Sequence, residues 1–355
     1  MDSVIRGIWV SPGNAHQILF SFKIDIDASG RRIKESCKAK LLIIVVALGS
    51  FRFCSEDGGL SRRYKVTPNQ RYEDPASGKA FELDLFAISA WQIGKRGTNF
   101  IWPVLLIACK NLWCPLVFFT HREMRSHWVL GQVQVSGLPF EIARRGKTES
   151  IPEFLKVEDF HHYYRTGHVA SQFCAVYEVN EGAPRKGAPK YEAGHTIGRR
   201  IELFKDFESL ARIIELEKRQ HATSWRLVRE KEVINIQVYY PIFVTAGPVF
   251  ECFVGKGRPR YRRVHQVGYL HRHISHSSHR ECRIDVVDEI GLRRLLELIE
   301  KEGEEIERRV GRSRGLFKEN ILRLSKDLME QKIETQISWL SGKGRAEQSE
   351  GDTGK

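Results

Sequence analysis

Two stretches, "KAFELDLFAIS" (79–89) and "FIWPVLLIACKN" (100–111), decide how this chain is read. In an extended strand, residues two apart point to the same side. The first stretch therefore puts Glu82 and Asp84 on one face and Leu83 and Leu85 on the other. The second puts Leu106, Ala108 and Lys110 on one face, and Leu105, Ile107 and Cys109 on the other. If the two are neighbouring strands, Asp84 and Lys110 converge at one end of a sheet. A lysine closing so apolar a strand is costly to bury unless an acid or a phosphate lies within reach. A carboxylate holds a hydrated divalent cation, and a lysine beside it can orient an attacking water or help to deprotonate it. That is the equipment of metal-assisted phosphodiester hydrolysis.

Working outward, "RRYKVTPNQRYEDPASGKAFELDLFAIS" (62–89) predicts two strands around an Asp-Pro turn in which Gly78 supplies positive φ. "PLVFFT" (115–120) is a further short strand, and closely spaced strands need helices to cover them. Helical spacing of Phe154, Leu155, Val157, Phe160 and Tyr164 predicts a helix over 153–167, with His161 and His162 as packing residues rather than a catalytic pair. "SQFCAVYEV" (171–179) alternates as a strand. Asp206 and Ser209 read as caps of a helix with an apolar face of Phe207, Leu210, Ile213, Ile214 and Leu216. "VINIQVYYPIFVTAGPVFECFV" (233–254) predicts a hairpin around "TAGP". A strand at 283–289 precedes an amphipathic helix from about Gly291 to Val310 and a last one over 315–340.

The net charge of +13 and pI near 9.4 favour a polyanionic partner. "GKGRPRYRRVHQVGYLHRHISHSSHR" (255–280) contains no acid, and as a basic loop it suits phosphate contacts through Lys256, Arg258, Arg260, Arg262, Arg263 and Arg272. Its His271, His273, His276 and His279, with Cys282, lack the cysteine pair and spacing of a zinc finger. The seven cysteines include no CxxC pair, which fits reduced thiols in a cytoplasmic protein. No charged leader with an apolar core opens the chain, and "LLIIVVALG" (41–49) is too short to span a bilayer, so no membrane partner is expected. A P-loop and a GxSxG elbow are both absent, against P-loop nucleotide hydrolysis and the α/β-hydrolase nucleophile.

The succession of turn, acidic strand, polar connection and apolar strand ending Cys-Lys-Asn resembles the core of the PD-(D/E)xK nuclease superfamily, the restriction-endonuclease-like fold, and in it uncharacterised prokaryotic members. The likeness covers about residues 63–120. Asp84 matches the family's first acid and Lys110 its lysine, while the second acid is replaced by Ala108. Glu82, or Glu35 from an N-terminal helix, is the carboxylate left to take its place; Glu73 and Asp74 belong to the turn. The resemblance implies an α/β fold, a mixed central sheet flanked by helices, to which the later strands and helices add a C-terminal α+β segment. The organisation expected is an N-terminal segment of undefined fold (1–62), a nuclease-like core (63–180), a β-hairpin and helix region with the basic His-rich loop (181–310), a C-terminal helix (311–340) and a disordered tail (341–355). The implied activity is Mg²⁺- or Mn²⁺-dependent hydrolysis of DNA, an endonuclease in which Asp84 holds the metal, Glu82 assists it or orients water, and Lys110 steadies developing charge. The alternative is a catalytically inactive nucleic-acid-binding protein that kept the fold and lost the acid at Ala108.

Overall fold

The computed structural model describes residues 3–24 apart from 12–13, 64–178 apart from short connecting segments, 193–224, 233–253, and 259–323 apart from 276–277. The apolar run at 41–49, the helix beyond residue 323 and the tail at 341–355 lie outside them. Strands β1 (Ser3–Ser11) and β2 (Asn14–Ile24) pair antiparallel. Next come β3 (Lys65–Glu73) and β4 (Ala80–Ile88). Their turn is closed by Gly78 N–H donating to Asp74 O at 2.8 Å, with Gly78 at φ +65°, a left-handed conformation that favours glycine. The chain continues through β5 (Trp91–Gln92), β6 (Phe100–Lys110), β7 (Leu116–Arg122), β8 (Gln134–Leu138), β9 (Glu141–Arg144) and β10 (Lys147–Ser150).

The helix expected over 153–167 is three short pieces: α1 (Ile151–Phe154), a 3₁₀ turn (Val157–Asp159) and α2 (His162–Thr166). Lys156 adopts φ 48°, ψ 52°, and Phe160 adopts φ −137°, which interrupts the helical ladder twice. Strands β11 (His168–Ala175) and β12 (Tyr177–Glu178) follow, the latter extending the β1–β2 pair. Helix α3 (Ala193–Ser224) begins well before Asp206, so that residue lies inside the helix and not at its cap. After β13 (Asn235–Thr245), β14 (Val249–Phe253), β15 (Arg260–Val264), β16 (Gln266–Ser275) and β17 (Ser278–Val287) comes α4 (Glu289–Arg312), then a helix over 314–323. Asp288 caps α4, its side chain accepting from Gly291 N–H at 2.8 Å.

Twelve strands form one sheet, ordered β15-β14-β7-β11-β16-β17-β13-β6-β4-β3, with β5 added to β6 and β8 to β13. It is mixed: β13 runs parallel to β6 and β17, β11 to β16, and β14 to β7. The protein is thus a mixed α/β fold with a large central sheet and few helices. Two expectations fail here. The hairpin at 233–254 does not form, because β13 and β14 lie in different parts of the sheet. Both edges of β13 are taken by β6 on one side and by β17 and β8 on the other, as suits a strand buried on both faces. The residues that leave β13 instead bond to the end of β6 and the start of β7, with Ala246 N–H donating to Lys110 O at 3.2 Å and Leu116 N–H to Pro248 O at 3.0 Å. Nor is 255–280 a loop, since Arg260–Val264 and Gln266–Ser275 are strands.

Each face of the sheet has its own core. On one, α3 buries Leu203, Phe207, Leu210 and Ile214 against Leu106, Ala108, Phe243 and Ile284. On the other, α4 buries Leu292, Leu295, Leu296, Ile299 and Ile306 against Leu105, Ile107, Tyr240 and Ile242. Each such side chain contributes about 1.5–3 kcal/mol when fully buried, so both helices are firmly seated. Gly303 lets α4 close on the sheet: a methyl group there would lie 1.1 Å from Trp91 Cζ3.

Candidate functional site

Strand β4 pairs with β6 only from Leu85 to Ile88, opposite Ile107 to Val104. Before Leu85 it leaves β6 while remaining paired with β3. At the point of departure, Cys109 N–H donates to Asp84 Oδ2 at 2.6 Å, so a carboxylate takes the place of a main-chain acceptor. Across β3 at the same level, Asn69 has φ 52° between the registered pairs Pro68–Leu85 and Gln70–Leu83. The side-chain alternation of β4 breaks here. Leu85 packs into the α4 core, while Leu83 packs into the α3 core. The expectation that Leu83 and Leu85 share a face is therefore corrected. The faces of β6 are as expected, with Leu106 and Ala108 toward α3 and Leu105 and Ile107 toward α4.

The parted strands and α3 enclose a cavity of about 390 Å³ lined by Glu82, Asp84, Ala108, Lys110, Asp206 and Ser209 among others. Lys110 Nζ lies 2.9 Å from Asp206 Oδ1, with the lysine side chain 40% exposed and the aspartate 20%. Glu82, Asp84 and Lys110 thus line one cavity, and Glu82 is exposed to solvent. Asp206 was not foreseen as a partner for Lys110. Its signal was available: it falls three residues after Leu203 and four before Leu210, an acid on the buried stripe of a helix. Among the described residues, the three carboxylates do not close into a ligand set within 4.8 Å. Glu35 lies outside the described residues, as do Lys256 and Arg258.

The remaining basic residues are elsewhere. Arg260, Arg262 and Arg263 lie on β15, at the end of the sheet away from β4. Eight strand positions separate them, roughly 40 Å along the sheet at the usual spacing. Arg262 pairs with Glu251 at 2.7 Å and Arg272 with Glu281 at 2.8 Å, whereas Arg260 and Arg263 are exposed. Of the histidines in that stretch, His271 is buried with Nε2 2.9 Å from Glu208 Oε2.

A second polar cluster lies under α4, where the sequence promised only packing. His162, 1% exposed, has Nδ1 2.7 Å from Glu302 Oε1 and Nε2 3.0 Å from Asp285 Oδ2. Its main-chain N–H also donates to Glu302 Oε1, at 2.5 Å. Gln266 Nε2 donates to Asp285 Oδ1 at 3.0 Å. Ionised carboxylates only accept, so both ring nitrogens of His162 carry protons. Burial alone would lower its pKa, but Glu302 and Asp285 override it and hold it at about 10. Burial pushes the neighbouring His161 down to about 4. Burial disfavours ionisation of Asp285 and Glu302, yet both are held below the usual carboxylate range, Asp285 by His162 with Gln266 and Arg283, and Glu302 by His161 and His162. Arg283, fully buried, stacks over Tyr163 at 4.5 Å; Gly268 leaves it room, since a methyl group there would lie 2.6 Å from its Nε. Glu302 repeats the lesson of Asp206, lying three residues after Ile299 and four before Ile306 on a buried stripe.

No protein-family model matches the chain, and neither the curated proteins nor the solved structures contain a match to it. Among the described residues, no helix is long and apolar enough to cross a membrane.

Proposed function

We propose that this chain is a nuclease of the restriction-endonuclease-like kind that hydrolyses DNA phosphodiester bonds with a divalent cation, Mg²⁺ or Mn²⁺. The observation that carries the reading is the meeting of Asp84, Asp206 and Lys110 in one cavity where β4 parts from β6. The meander β3-β4-β6, followed by helix α3 and a strand β13 parallel to β6, supports the same reading. The donor set suits the cation: all candidate ligands are carboxylate oxygens, and Mg²⁺ is commonly held by one or two carboxylates with water completing its shell. Asp84 and Asp206 would hold it, Asp206 from the helix standing in for the acid absent at Ala108. Bound there, the metal would supply Lewis-acid stabilisation of the phosphoryl oxygens and a more acidic water.

The chain's own groups do the rest. The Cys109 N–H fixes the Asp84 carboxylate against the end of β6. Lys110 offers an ammonium to the charge that develops on the phosphate, the kind of preorganised electrostatic contact that accounts for much of enzymatic rate enhancement. Glu82, exposed at the same cavity, orients water. Arg260 and Arg263 on the far strand serve a long DNA duplex rather than the scissile bond, since about a dozen base pairs span that length at 3.4 Å each. The alternative reading, an inactive DNA-binding protein, is favoured by Ala108 and by the existing Lys110–Asp206 ion pair, which already neutralises the lysine. The deciding experiment incubates the full chain with plasmid and single-stranded DNA in Mg²⁺ or Mn²⁺. Cleavage abolished in Asp84→Asn and Lys110→Ala supports the enzyme; salt-sensitive DNA retention without cleavage in either metal supports the binder.

A further inference from the structure

We propose that His161, His162 and Glu302 form a buried binding site for a divalent transition metal of the zinc class, on the face of the sheet opposite the Lys110 cavity. The proposal does not depend on the nuclease reading. Among the described residues, these three are the one group of histidine, cysteine or acidic side chains whose ligand atoms lie within 4.8 Å of one another. Two imidazoles and a carboxylate are a common zinc ligand set, and the imidazole nitrogens disfavour Mg²⁺ or Ca²⁺.

The surroundings fit a ligated ion in three ways. His162 turns Nδ1 to Glu302, and its other nitrogen, Nε2, meets Asp285 Oδ2 at 3.0 Å. A carboxylate on the distal nitrogen is how proteins fix the tautomer and orientation of a metal-bound histidine. Asp285 is in turn held by Gln266. On the other side, Glu302 Oε2 is buried and lies 3.7 Å from His161 Nε2, with the Tyr240 hydroxyl also set against the Glu302 carboxylate. That gap is too wide for a hydrogen bond, while two ligands of one tetrahedral ion stand about 3.3 Å apart at ordinary zinc bond lengths. Finally, Glu302 lines a cavity of about 290 Å³ with Asp159, Phe160, Arg165 and Lys301, which gives the ion an entry path to an otherwise enclosed cluster.

Binding follows a simple proton balance. The ion takes the place of the proton on His162 Nδ1, which is released, while the proton on Nε2 stays with Asp285. His161 Nδ1 now accepts from Tyr163 N–H at a long 3.3 Å. Ligation through Nε2 moves the His161 proton to Nδ1 and gives up that contact.

The test is metal analysis of the full chain, purified, stripped with chelator and reloaded with Zn²⁺ or Co²⁺. We expect one ion per chain, a rise in thermal midpoint on loading, and for Co²⁺ visible d–d bands without thiolate charge transfer. His161→Ala, which leaves the His162 contacts to Glu302 and Asp285 in place, lowers retention to background, as does Glu302→Gln. Asp285→Asn weakens affinity about 10–100-fold by freeing His162. The proposal is overturned if neither metal is retained nor shifts the midpoint, or if retention survives in both His161→Ala and Glu302→Gln. Should those variants fail to fold, the cobalt spectrum of the unaltered chain decides: no d–d bands, or thiolate bands, overturn it.

Discussion

Lys110 Nζ stands 2.9 Å from Asp206 Oδ1, joining the end of β6 to the helix that covers it. The lysine side chain is 40% exposed, so solvent screens the pair, and such pairs contribute about 1 kcal/mol or less. Its role in the proposed nuclease is therefore separable from stability. Lys110→Ala and Asp206→Ala should each lower DNA cleavage by about 10²-fold or more. Their chemical denaturation midpoints should stay close to that of the unaltered chain. Equal loss of stability and activity would make the pair a structural tie.

Asp84 has two roles to separate, acceptor for Cys109 N–H and ligand in the cavity. Asparagine keeps an oxygen for the N–H and loses the charge. Asp84→Asn should leave the circular dichroism spectrum and melting curve nearly unchanged and remove metal-dependent cleavage. Asp84→Ala, which orphans a partly buried N–H, should in addition cost about 1–3 kcal/mol in urea titration.

Gly303 and Trp91 set the height of α4 above the sheet. Alanine is favoured over glycine in a helix by about 1 kcal/mol. Here its methyl group would fall 1.1 Å from Trp91 Cζ3, and Trp91 is 2% exposed with its Nε1 donating to Ser89 Oγ at 3.2 Å. Gly303→Ala should therefore destabilise the fold by roughly 1–3 kcal/mol through overpacking. Adding Trp91→Leu to it should recover part of the loss, measured as a double-mutant cycle.

His221 supplies a pH dependence. Burial holds its pKa below the usual imidazole range, partly opposed by Asn235, and its Nδ1 lies 2.8 Å from Ser136 Oγ. Below about pH 6.5 the unfolded chain protonates this residue and the folded chain does so only at lower pH. The unfolded state then binds more protons, so stability falls as pH falls through that window. His221→Gln keeps a hydrogen-bonding side chain and cannot titrate. Its stability should decline less between pH 6.5 and 5 than that of the unaltered chain, and identical slopes would remove His221 from the account.

The local pattern was enough for β3, β4, β6 and their turn, because alternation, an Asp-Pro start and a glycine at positive φ are written in neighbouring residues. It was enough for the body of α4, whose apolar stripe repeats at helical spacing, but not for its start, since Asp288 was read into the preceding strand and proves to be the cap. It also put Asp84 and Lys110 at the same end of adjoining strands, which the cavity between them reflects. Where the chain breaks its own periodicity, local reading went astray. The facing of β4 switches between Leu83 and Leu85 where the strand leaves β6, and Lys156 splits the helix before His162.

What sequence alone determined, then, was the strands and helices whose hydrogen bonds and apolar faces repeat over short distances. Only the tertiary structure decided that β13 and β14 part company, because strand partners are chosen by burial across the whole sheet. Only it brought Asp206 to Lys110 and Glu302 to His162, contacts between residues far apart in the chain. Each acid lies on the apolar stripe of its helix, and the partner that makes its burial tolerable is supplied by another element altogether.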